Sequence, residues 1–94
     1  MKKDIEFTKM IERITQMEQY YDIVCDAIYK EDVSLRGNKE LQEMIALLED
    51  YVESGLWIAD FECDERGELP KELKRGVLSE DGLYNLLCDV ERYM

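Results

Sequence analysis

The sequence predicts an all-α protein: a long antiparallel helical hairpin, a short turn-rich helical segment, and a C-terminal helix packed back on the hairpin. Three observations lead there. Apolar residues recur at three- and four-residue steps in both halves of the chain, the pattern of one helix face. Four of the five glycines and the only proline fall between Gly55 and Gly82, so helix-breaking residues are concentrated in one segment. The 94 residues, 46% hydrophobic and 37% charged, suit one folded domain over 1–94, too apolar for disorder and too short for two cores.

The first helix is expected over 4–30. Its seam runs Phe7, Ile11, Ile14, Met17, Tyr21, Val24 and Ile28, with Glu6, Glu12, Arg13, Glu18, Asp22 and Asp26 off it and Asp4 as N-cap. Such a helix is roughly 40 Å long. A compact globule of this size has a radius of gyration of only about 12–13 Å, so an elongated bundle is expected. Residues 31–38 read as a connection, with Gly37 and Asn38 as turn residues and Asn38 able to cap a second helix over 39–54. The second seam is Leu41, Met44/Ile45, Leu48 and Tyr51/Val52, and Gly55 stands where a left-handed residue ends a helix. The short link makes the two helices antiparallel neighbours. The second is shorter by about ten residues, roughly 15 Å, which leaves part of the first helix for the last one to cover.

The segment 55–78 is expected to hold short helical pieces. Trp57, Ile58 and Phe61 fit a single turn with its aromatic side on the hairpin. Leu69-Pro70 forces an extended residue and then a helix start. Lys71 to Arg75 gives one turn, with Leu73 inward and Gly76 ending it. The C-terminal helix is expected over 79–93, with Ser79 as N-cap, Glu80 and Asp81 facing the helix dipole, and Leu78 stapled on Leu83. Its seam is Leu83, Leu86/Leu87 and Val90, with Gly82 a modest liability in the first turn.

The run Ser54-Gly55-x-Trp57-x-x-Asp60-Phe61-Glu62-x-Asp64-Glu65-x-Gly67-x-Leu69-Pro70, followed by Leu73-Lys74-Arg75-Gly76-Val77-Leu78-Ser79-Glu80-Asp81-x-Leu83-Tyr84, resembles a family of small bacterial helical proteins classed as a domain of unknown function. The resemblance implies a bacterial cytosolic origin and a stand-alone domain, and carries no activity with it.

Composition closes off much chemistry. There is no histidine, which removes Ser-His-Asp and Cys-His nucleophile arrangements, the usual zinc sites and an imidazole pH switch. Three spaced cysteines, Cys25, Cys63 and Cys88, make no disulfide framework. With no apolar run long enough for a membrane span and no signal-peptide pattern, a cytoplasmic protein is expected. The net charge of −11 is uneven: residues 37–69 hold two basic and ten acidic side chains. Direct nucleic-acid binding and an anionic membrane surface are both disfavoured by that field.

The sharpest candidate site is the acidic group Asp60, Glu62, Asp64, Glu65 and Glu68. Carboxylates in a glycine-containing loop over 60–68 could bind a divalent cation weakly, although the spacing departs from an EF-hand, with Glu65 where glycine belongs and Lys71 where the bidentate glutamate belongs. The bland alternative is a solvated loop whose acids pair with Arg66, Lys74 and Arg75. Trp57 and Phe61, one turn apart, are either an aromatic anchor for a partner or core between hairpin and C-terminal helix. Acidic neighbours are expected to raise the Cys63 thiol pKa, while Cys25 and Cys88 read as small core or boundary residues. The basic trio Lys71, Lys74 and Arg75 reads as an internal charge complement.

The expected function is a non-catalytic protein–protein interaction or accessory module, not an enzyme, with no cofactor and no metal. Its surface is Trp57, Asp60, Phe61, Asp64 and Glu65, its partner an unknown protein, and homodimerisation through the long seam is a further expectation. An acidic mimic of nucleic acid, seated in a basic groove, is the alternative beside cation binding.

Overall fold

In a computed structural model of the chain, α1 spans Lys2–Tyr29, α2 Lys39–Glu53, α3 Leu56–Glu65 and α4 Gly82–Tyr93, with a 3₁₀ turn at Gly76–Leu78. The structure describes residues 2–29, 38–79 and 81–93; the expectations placed on Gly37 and Glu80 lie outside them. Among the described residues there is no strand, and the fold is all-α. The molecule measures 45 × 23 × 21 Å, and its long axis matches the rise of α1, about 42 Å at 1.5 Å per residue.

α1 and α2 form the antiparallel hairpin. Near one end, Arg13 and Met17 of α1 border the same crevice as Leu47, Asp50 and Tyr51 of α2. Near the other, Ile23 and Ala27 border one with Leu41 and Met44. The Asn38 side chain accepts the Leu41 N–H at 3.1 Å and caps α2, as its residue type predicts. The core unites all the elements: Ile14 and Val24 of α1, Leu48 of α2, Val77 of the 3₁₀ turn, and Leu83 and Leu86 of α4 are each at most 1% exposed. Burying each such side chain contributes about 1.5–3 kcal/mol relative to leaving it in water.

Gly55 has φ +87° and lets the chain reverse from α2 straight into α3. No atom lies within 4 Å of where a Cβ would stand, so dihedral freedom is what the position requires, not space. α3 then runs ten residues where a single turn is expected, because neither glycine nor proline interrupts Leu56–Glu65. Three local expectations are corrected beyond it. Residues 71–75 form a bend closed by Leu73 N–H on the Pro70 carbonyl, and Gly76 opens a 3₁₀ turn instead of ending a helical one. Ser79 is not at the cap position: α4 begins at Gly82, with Asn85 N–H donating to the Asp81 carbonyl at 2.8 Å, and the Ser79 hydroxyl donates to the Gly76 carbonyl at 2.8 Å. At the other end of the chain α1 already begins at Lys2, so Asp4 lies inside it.

α4 does not cover the overhang of α1. Ile5 and Phe7 stand 55% and 40% exposed, although Phe7 is on the sequence seam. The reason is where the 3₁₀ turn docks. Val77 donates its N–H to the Glu18 carboxylate at 3.0 Å, which sets the start of α4 beside Tyr21. Twelve residues, about 18 Å of helix, then carry α4 towards Tyr29, whose hydroxyl donates to Asp89, and away from Phe7.

Candidate functional site

α3 is the acidic helix, and its first carboxylate faces inward. Asp60 is 1% exposed. Its Oδ1 accepts from an Arg13 terminal nitrogen at 2.5 Å, and its Oδ2 accepts both Arg13 Nε at 2.9 Å and the Tyr51 hydroxyl at 2.6 Å. The fork of Arg13 thus grips Asp60 with two parallel bonds, the strongest common geometry for such a pair. Hydrogen bonding to Asp60 raises the Arg13 pKa against the effect of burial. Burial first, then the bond to Asp60, drives the Tyr51 pKa far up. A carboxylate so engaged, accepting three bonds and 1% exposed, is a tie between α1, α2 and α3 closed off from a substrate.

The other members of the sequence-derived surface are placed apart from Asp60. Trp57 and Phe61 stack with centroids 5.1 Å apart and planes 16° from parallel, both half-buried, and the Trp57 indole N–H donates to the Val77 carbonyl at 2.9 Å. Asp64, half-buried, accepts from Arg75 at 2.5 Å, while Glu65 is exposed. Asp60 therefore leaves the accessible surface, because helical geometry and the half-buried Arg13 turn it to the core. The expected acidic loop is helical through Glu65, and among the described residues no group of three or more Cys, Asp or Glu could hold a metal ion.

The basic trio divides. Arg75 pairs with Asp64 and also donates to the Pro70 carbonyl at 2.9 Å, and Lys74 reaches Asp22 at 3.2 Å. Arg66 pairs with Glu68 at 2.6 Å. Burial, then the Glu68 carboxylate, pushes the Cys63 thiol up, in the direction expected from its neighbours. Cys88 is exposed, against its reading as core or boundary, since α4 turns Leu86 and Val90 inward instead.

Two features have no local signal in the sequence. Glu18, placed off the seam, is 5% exposed and receives Val77 N–H from 59 positions away. Gly82 is a close-approach residue and not merely a weak helix former: a Cβ there would run into Ser79 Oγ and stand 2.7 Å from the Tyr21 hydroxyl.

An open groove of about 350 Å³ lies between α2, α3 and α4, lined by Val52, Trp57, Asp81, Leu83, Tyr84 and Leu87. Of its lining, Val52 and Tyr84 are 39% and 70% exposed. The sequence signalled only Trp57 here, because Val52 and Leu87 sit on stripes that also supply core residues.

The family described as a domain of unknown function (DUF4298) matches residues 14–94, and the chain belongs to that family. Comparison with curated proteins and comparison with solved structures each returned no match. Among the described residues, no helix is long and apolar enough to cross a membrane.

Proposed function

We propose that this protein is a non-catalytic interaction or accessory module that acts by binding another protein. The observation that carries the reading is the groove beside Trp57, whose lining includes the exposed side chains of Val52 on α2 and Tyr84 on α4. Apolar side chains left exposed along a groove suit the anchors of a partner. Support for a non-catalytic role comes from the missing histidine and from the carboxylate of Asp60, whose oxygens are held by Arg13 and Tyr51. Support for a reducing, cytoplasmic setting comes from the three free cysteines.

The test is affinity recovery of the tagged protein from its host, with identification of what stays bound. A protein recovered in stoichiometric amount, and lost when Tyr84→Arg is introduced, is the expected result. Recovery of nothing beyond the tag control defeats the reading.

The acidic-mimic reading keeps one observation in its favour: residues 40–65 hold nine acidic side chains and no basic one. It requires a partner that is itself a nucleic-acid-binding protein and is displaced by DNA or RNA. Binding that persists unchanged in high salt removes it.

A further inference from the structure

We infer that the groove between α2, α3 and α4 receives the apolar face of a basic amphipathic helix from another protein, an inference that rests on the interaction reading above. Charge complementarity selects that occupant. Asp81 is in the groove lining, Glu49 precedes Val52 by one turn on α2, and Glu91 follows Leu87 by one turn on α4. Glu49, Asp81 and Glu91 are exposed, and among the described residues none of them is in an ion pair.

Four basic side chains are committed elsewhere, and Arg92, beside Glu91 on α4, pairs with Asp89 at 3.9 Å. Arg13, Arg66, Lys74 and Arg75 hold Asp60, Glu68, Asp22 and Asp64, and α2 after Lys39 and the whole of α3 have no lysine or arginine. An apolar floor with a rim of unneutralised carboxylates fits apolar anchors flanked by lysine or arginine. A second copy brings the same acidic rim to the same place and is repelled.

The shape of the groove points to a helix. Its walls are helices, and among the described residues no sheet edge exists to accept an added strand. Proline-rich ligands dock on aromatic grooves, where a free indole N–H is the natural donor to their carbonyls; the Trp57 N–H is already given to Val77. Apolar anchors at three- and four-residue spacing place successive side chains over Trp57, Leu83 and Leu87.

The experiment titrates the intact protein with two synthetic peptides of about 18 residues, some 27 Å as helices, that share one leucine face. One carries lysine on the other face and the second carries glutamate. Trp57, the only tryptophan and a lining residue, is the reporter. The lysine peptide is expected to saturate a Trp57 emission shift, and the glutamate peptide to produce none. Val52→Arg and Tyr84→Arg, both at exposed positions, are expected to weaken binding at least tenfold. Thr8→Arg adds the same charge away from the groove and is expected to change it less than twofold. Glu49→Lys with Glu91→Lys is expected to weaken binding and flatten its salt dependence.

Equal binding of both peptides overturns the charge argument. Lysine-peptide binding untouched by Val52→Arg and Tyr84→Arg, or no saturation by either peptide, overturns the groove assignment. So does a homodimer that Tyr84→Arg dissolves, since the groove is then filled by a second copy. The host-recovery experiment decides the interaction reading separately, because a partner retained by Tyr84→Arg preserves that reading in a general form while removing this site.

Discussion

Tyr51 and Arg13 share one oxygen of Asp60: the hydroxyl of the first and Nε of the second both donate to Oδ2, at 2.6 and 2.9 Å. Three helices meet at that atom, and the first prediction concerns its charge. Arg13→Ala leaves an almost fully buried carboxylate without its cation and is expected to destabilise the fold by about 3–5 kcal/mol. Arg13→Met combined with Asp60→Leu is expected to recover most of that loss, because the hydrophobic pair removes the desolvated charge altogether. Urea unfolding of the wild type, the single and the double variant checks both.

Tyr51→Phe is expected to cost about 1.5–3 kcal/mol at neutral pH, the range for a hydrogen bond to a charged group. Its pH dependence has a definite sign. The folded-state pKa of Tyr51 is raised above its ordinary value of 10.0, so its contribution is complete below that pH and is lost as pH rises beyond it. Wild-type stability is therefore expected to fall more steeply above about pH 10 than that of Tyr51→Phe. Phenolate absorbance of Tyr51 should appear only together with unfolding.

Glu18→Ala removes the acceptor of Val77 N–H and is expected to destabilise by about 1–3 kcal/mol, the cost of an orphaned buried donor. Glu18→Gln keeps a carbonyl oxygen within reach and is expected to lose less. Hydrogen exchange at the Val77 amide should accelerate sharply in the alanine variant and only slightly in the glutamine variant.

Gly82→Ala sets two effects against each other. Helix propensity favours alanine by up to about 1 kcal/mol. Overpacking against Ser79 Oγ and the Tyr21 hydroxyl costs about 1–3 kcal/mol, and the rigid tyrosine ring limits escape. A net loss of thermal stability is expected, restored when Ser79→Ala and Tyr21→Phe are added.

What the sequence made legible is what depends on spacing within one helix. The seams of α2 and α4, the cap at Asn38 and the reversal at Gly55 all follow from neighbours three or four residues apart. Glu18 and Asp60 were not legible, because their partners Val77 and Arg13 are 59 and 47 positions away and a lone acid on a helix ordinarily reads as solvated. Ser79 failed for a positional reason: α4 starts at Gly82, so Ser79 stands two residues before the cap position. For the candidate site, Trp57 and Phe61 were visible as an aromatic pair. The groove beside them needs Leu83, Tyr84 and Leu87 of α4, which no local pattern brings to α3.

Val77 gives its N–H to Glu18 and takes the indole proton of Trp57 on its carbonyl, so a single peptide segment is bolted to side chains from two helices that precede it. During translation those helices leave the ribosome first, with a carboxylate and an indole each awaiting a mate. The hairpin can coil early, yet its final closure waits on a late-arriving residue. A nascent chain halted before that residue should remain loose and protease-sensitive, and one extended through α4 should lock.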